Sequence, residues 1–172
     1  MSSADATDGR TAPAAAPDLL CFEDLQLGQV RELGSFSLTA AEIVEFAARF
    51  DPHPFHVDEE AARETFFGGL VASGVHTFAS FSRLMYDGCV GHVAMVAGRG
   101  IREMQLRSPL RPGERVDCRA TVVDARDAPN RPTAGMVTFQ GEGTKDDGSQ
   151  VITLIIEILV RRRTPADAST AG

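Results

Sequence analysis

No stretch of this sequence stays apolar long enough to cross a bilayer. The longest apolar run, residues 151–160, is interrupted by Thr153 and Glu157, whereas a spanning helix needs about 20 consecutive apolar residues. A basic leader is also missing: the chain opens Met-Ser-Ser-Ala-Asp-Ala-Thr-Asp, with acids where a secretory signal would carry Lys or Arg, so a cytoplasmic location is expected. Cysteine is scarce. Cys21, Cys89 and Cys118 are odd in number and show no CxxC spacing, which argues against a disulfide framework or a clustered zinc site and leaves buried, inert thiols as the reading. Positive charge is outweighed as well, with 17 basic against 24 acidic side chains and a net charge of −7. Such a balance repels nucleic acid and anionic lipid at long range. Neither is expected as a partner; small molecules or other proteins are.

What is present is enough for one domain: 172 residues, 43% hydrophobic and 24% charged, without internal repeat. Residues 1–20 and 164–172 are rich in Ala, Ser, Thr, Pro and Asp without periodicity and are expected to be disordered segments flanking a domain at 21–163. Thr39 and Glu42 form a capping box ahead of an apolar stripe at Ile43, Phe46, Ala47 and Phe50. Pro52 predicts that this helix stops at Phe50. The following Asp51-Pro-His-Pro-Phe-His56, with two prolines within three positions, reads as a stiff, irregular loop. Asp58 caps a short helix to about Glu64. Ser73 caps a longer one, apolar at Val75, Phe78, Ala79, Phe81, Leu84 and Met85 and therefore expected to be central and buried. Beyond it the apolar period falls from 3.6 to 2 over 115–127 and 136–144, as in antiparallel strands with one wet face. Asp146-Asp147-Gly148 marks a turn, and 151–160 reads as a central strand covered on both sides. Further strands are expected near 30–38 and 100–107. A long helix followed by a run of strands predicts an α+β domain with an antiparallel sheet wrapped round that helix.

An acid and an imidazole held five residues apart on stiffened backbone can grip one water, as general acid–base chemistry on a neutral substrate requires. Asp51 and His56 are that pair, although Asp before Pro also caps turns and a histidine can simply pack. The helix beginning at Ser73-Gly74 offers unpaired amides and a positive dipole to a developing oxyanion. Gly74, Phe78 and Ser82 lie four apart and share one helix face, which puts the Ser82 hydroxyl on the same pocket. His53-x-x-His56 with Asp51 or Asp58 could ligate a metal, but no third ligand motif follows and no metal is assigned. His76 reads as a hydrogen-bonded helix histidine and His92 as a loop residue.

Three motifs in order, Asp51-Pro-His-Pro-Phe-His56, Phe67-Gly-Gly-Leu-Val-Ala-Ser-Gly74 and Leu106-Arg-Ser-Pro-Leu-Arg-Pro-Gly113, resemble the MaoC-like dehydratase family, which includes (R)-specific enoyl-CoA hydratases. The resemblance covers about 22–160. It implies a single hot-dog fold that pairs into a homodimer or a dimer of dimers, and reversible hydration of an enoyl thioester carried by coenzyme A or an acyl carrier, without a cofactor. In the hydratases the loop reads Asp-x-Asn-Pro-aliphatic-His. The resemblance puts Asp51 and His56 on the catalytic water, the Gly74 amide on the thioester carbonyl and Ser82 at the site's serine. His53 stands where the hydratases have Asn and Phe50 where they have Gly, pointing to a different acyl substrate or to a fold that has lost the reaction. His53, Phe55, Phe67, Ser73 and Phe78 complete the expected substrate-contacting set, with Phe66 and Leu84 as further candidate tunnel residues.

An anionic carrier needs local positive charge, and Arg99, Arg102, Arg107, Arg111, Arg115 and Arg119 outnumber the acids of that segment. Arg161–Arg163 form another cluster. A hot-dog thioesterase would use the same thioester pocket for hydrolysis, and a non-catalytic acyl-thioester binder would use it only to dock a ligand.

Overall fold

The computed structural model describes residues 19–128 and 130–164. The ends expected to be disordered therefore lie outside the described residues, except Leu19, Leu20 and Thr164. Leu20 is tied in: its N–H donates to the His92 carbonyl (2.9 Å) and its carbonyl accepts from Ala94 N–H (2.8 Å).

After a 3-10 turn at Phe22–Asp24 come β1 (Val30–Ser37), α1 (Ala40–Phe50), α2 (Pro54–Val57), α3 (Glu59–Arg63) and α4 (Gly74–Gly88). A second 3-10 turn, Val90–His92, leads to β2 (Met95–Leu106), β3 (Arg115–Asp127), β4 (Ala134–Lys145) and β5 (Gln150–Arg161). The strands form one antiparallel sheet in the order β1-β3-β4-β5-β2. Phe81 and Met85 of α4 are buried in the same core as Val116, Cys118 and Ala120 of β3, Val137 and Phe139 of β4, and Ile152, Leu154 and Ile158 of β5. Gly141 brings helix and sheet together, because a Cβ there would stand 2.6 Å from the Phe81 ring. This is the hot-dog arrangement expected from the sequence.

Several expectations need correction in detail. The Asp51–His56 segment is not irregular throughout: Pro54 takes the first position of one-turn helix α2, where its missing N–H costs no hydrogen bond. Helix α4 is central but only partly enclosed; Thr77, Phe81 and Met85 are its buried residues, and Val75 is 53% exposed. Strand β2 starts at Met95 rather than near Gly100, and β5 is only half-buried at Ile155–Glu157. β2 is a sheet edge with exposed Met95, Val96, Ile101, Met104 and Leu106.

Candidate active site

The capping box that starts α1 is formed as expected, Glu42 N–H donating to Thr39 Oγ1 (3.2 Å) and Thr39 N–H to Glu42 Oε2 (2.7 Å). The helix ends at Asp51, its C-cap, whose N–H donates to the Ala47 carbonyl. The carboxylate is anchored from the other side of the site: Ser73 Oγ donates to Asp51 Oδ2 at 2.5 Å and accepts from Val75 N–H at 3.2 Å. Ser73 therefore caps α4 and holds the acid with one fully buried hydroxyl.

His56 sits in α2 and is buried. Its Nδ1–H donates to the Val71 carbonyl at 2.7 Å, which fixes the tautomer and turns Nε2 toward Asp51 Oδ2, 3.7 Å away. The backbone supports this orientation: Val71 N–H donates to Phe55 O (3.1 Å) and Ala72 N–H to Leu110 O (2.8 Å), lacing α2, the lead into α4 and the loop after β2 together. His53 is exposed, 3.6 Å from Asp51 Oδ1 and stacked on Phe55 at 5.2 Å.

His56 opens onto a cavity of about 400 Å³ whose lining includes Phe55, Phe67, Gly74, Thr77, Leu106 and Arg107. The Gly74 N–H, first in α4, has no carbonyl within the helix to bond and carries the positive end of the helix dipole. The missing side chain leaves room for Leu106, whose Cδ1 would stand 2.2 Å from a Cβ there. Phe66 also lines this cavity, at 98% exposed, while Arg111 is committed to structure by donating to the Phe67 carbonyl at 2.5 Å.

Phe78 and Ser82 are not part of this group. They line a second cavity of about 450 Å³, farther along α4, together with Met85, Met95, Arg99 and Ile101. Gly74 and Ser82 keep the expected helix face, and the eight residues of α-helix between them span about 12 Å. Leu84 lines neither cavity and packs on the core. Of the arginines, Arg102, Arg115 and Arg119 pair with Glu157, Asp117 and Glu142, whereas Arg107 reaches the first cavity and Arg99 the second.

His76 Nδ1 is buried without a hydrogen-bond partner among the described residues, and the ring stacks on Phe46 at 4.2 Å. Burial holds its pKa below the ordinary histidine value, opposed by the negative charge of Glu42. His92 Nε2 donates to the Asp87 carbonyl (2.8 Å) from the second 3-10 turn. The three cysteines are free and buried, and burial pushes the thiols of Cys89 and Cys118 up to about 11 and about 12. Among the described residues no three His, Cys, Asp or Glu side chains converge as a metal site, and no helix is long and apolar enough to cross a membrane.

Sequence reasoning missed two supports of the site. The Val71 carbonyl has no side-chain signature at all. The Ser73–Asp51 bond was hidden behind the ordinary capping role that already explained Ser73.

The family model described as MaoC like domain matches residues 24–139, a span that contains Asp51, His56, Ser73 and Gly74. The chain belongs to the MaoC-like family. A solved MaoC-like dehydratase from Rhodospirillum rubrum is 36% identical, covers 84% of this chain and 99% of its own, and superposes with a TM-score of 0.77. The uncharacterized protein YdeM of Bacillus subtilis (strain 168) is 32% identical over 142 residues, 82% of this chain and 99% of that one. A 3-hydroxybutyryl-CoA dehydratase of Methylorubrum extorquens is 25% identical over 135 residues, covering 78% of this chain and 83% of the relative.

Proposed function

We propose that this protein is a hydro-lyase that reversibly hydrates an enoyl thioester to the 3-hydroxyacyl thioester, with Asp51 and His56 activating the water. The observation that carries the reading is the Asp51–His56 pair itself. One carboxylate oxygen and one imidazole nitrogen stand 3.7 Å apart, each oriented by a hydrogen bond from behind, beside a cavity that also presents the Gly74 amide.

In the hydration direction the water oxygen bonds to the β-carbon and one water proton passes to the pair. The pair returns a proton to the α-carbon, so the double bond is consumed and one water is added. As the oxygen attacks, negative charge collects on the thioester carbonyl oxygen. The Gly74 N–H and the dipole of α4 stabilise it, a contribution of about 10²–10³ in rate for one such donor.

Coenzyme A is the favoured carrier, since the M. extorquens relative is a CoA-thioester dehydratase and Arg107 lies at the cavity. The unpaired β2 edge, with its row of exposed apolar side chains, supports pairing with a second copy, because such an edge left open is a liability. Ser82 acts from the second cavity, on the acyl group or its surroundings rather than on the water.

The test follows the ultraviolet absorbance of crotonyl-CoA and longer trans-2-enoyl-CoAs, with free thiol measured in parallel. Loss of enoyl absorbance without thiol release is the expected outcome. Thiol release would replace this reading with a thioesterase, and binding with neither change would replace it with a non-catalytic acyl-thioester binder.

A further inference from the structure

We propose that His76 is a positioning residue for Asp51, locking the last turn of α1 against the first turn of α4 where the carboxylate must stand. The role assigned to Asp51 rests on the hydratase reading above; the joint itself rests on packing.

Two contacts make the joint. Ser73 Oγ holds Asp51 Oδ2, and three residues further along α4 the His76 ring lies on Phe46 of α1, centroids 4.2 Å apart and planes within 8°. Ser73 and His76 are thus neighbours on one side of the first turn of α4. On α1, Phe46 in turn touches Phe50 (4.9 Å), the residue before Asp51. A single hydroxyl fixes one carboxylate oxygen but not the direction from which the chain arrives. The stack supplies that second constraint, because it sets the rotation and height of α1 one turn before its end.

The chemistry of the ring explains why it stays flat against Phe46. Among the described residues His76 Nδ1 is buried without a hydrogen-bond partner. A proton there would place a charged donor where the described residues offer no acceptor, so the neutral ring with its proton on Nε2 is the form that fits. The charged residues of α1 are Glu42, Glu45 and Arg49, of which Glu42 is the one whose field reaches the imidazole. A buried nitrogen without a bond is a cost.

The test compares wild type with His76→Ala and His76→Phe. Hydrogen exchange is read at the Phe50 and Asp51 amides, and kcat and KM with a trans-2-enoyl-CoA. In His76→Ala, exchange at these two amides should rise by about tenfold or more while β3 to β5 stay protected. Its kcat should fall about tenfold with KM within about twofold, since the loss concerns the reacting geometry and not substrate binding. His76→Phe should restore both, and His76→Gln, which keeps a polar side chain but no ring, should behave like Ala and serves if Ala does not fold. Unchanged exchange at Phe50 and Asp51 overturns the proposal, as does loosening spread over the whole domain. If wild type turns over no enoyl thioester, the hydratase reading fails, while the exchange pattern still decides whether His76 holds the joint.

Discussion

The two cavities along α4 differ in what converges on them. The second is the larger, about 450 against about 400 Å³, and is walled mostly by Phe78, Phe81, Met85, Ile101 and their apolar neighbours, with Ser82, Arg99 and Glu157 at its polar points. The first is lined by His56, whose Nε2 is turned toward a carboxylate held by a buried serine, and by Gly74, the first residue of α4. Volume and chemistry therefore separate. Space suits an acyl chain, but a reaction needs groups oriented before the substrate arrives.

The sharpest way to break this comparison is at the pair. His56→Ala should lower kcat by about 10²–10⁴, the usual worth of a positioned acid or base. Thermal unfolding by circular dichroism checks that the fold remains. A smaller loss is expected at the amide. Gly74→Ala puts a Cβ within 2.2 Å of Leu106 Cδ1, the tip of a half-exposed side chain that can turn aside, so it should cost less stability in denaturant titration than the about 1–3 kcal/mol of core overpacking and lower kcat. Gly74→Ala with Leu106→Ala should recover the stability, because the clash is with the tip of one side chain.

The second cavity should respond differently. Ser82→Ala and Met85→Phe are expected to alter kcat by less than about tenfold and to shift the preferred acyl length, read as kcat/KM across a chain-length series. The smallest effect concerns pH. His76 has a folded pKa below its unfolded value of 6.5, so the unfolded chain takes up the proton first. Its contribution to stability is whole above about pH 6.5 and is lost as pH falls through the folded pKa. The acid-side decline in Tm should be shallower in His76→Phe.

Much of this was legible in the residues. The Thr39–Glu42 capping box, the Ser73 cap and the change of apolar period from 3.6 to 2 located α1, α4 and strands β3 to β5, because caps and periodicity are local properties of the chain. Asp51 and His56 could be paired from their spacing and the stiffness of the loop. What was not legible depends on three-dimensional placement. Pro54 read as a loop former because the same ring suits a turn and the first position of a helix. That Ser82 lines a different cavity from His56 was not visible, because helical phase gives direction around an axis but not distance along it. The Val71 carbonyl that orients His56 belongs to the backbone, which carries no residue-specific signal.

The most direct test of the central claim measures kcat on crotonyl-CoA for Asp51→Asn beside Ser82→Ala, with binding of the substrate checked for both. The account predicts a loss of about 10² or more for Asp51→Asn with binding retained, and less than about tenfold for Ser82→Ala. Near-wild-type turnover in Asp51→Asn, or a deeper loss in Ser82→Ala, would contradict it and move the chemistry away from the Asp51–His56 pair.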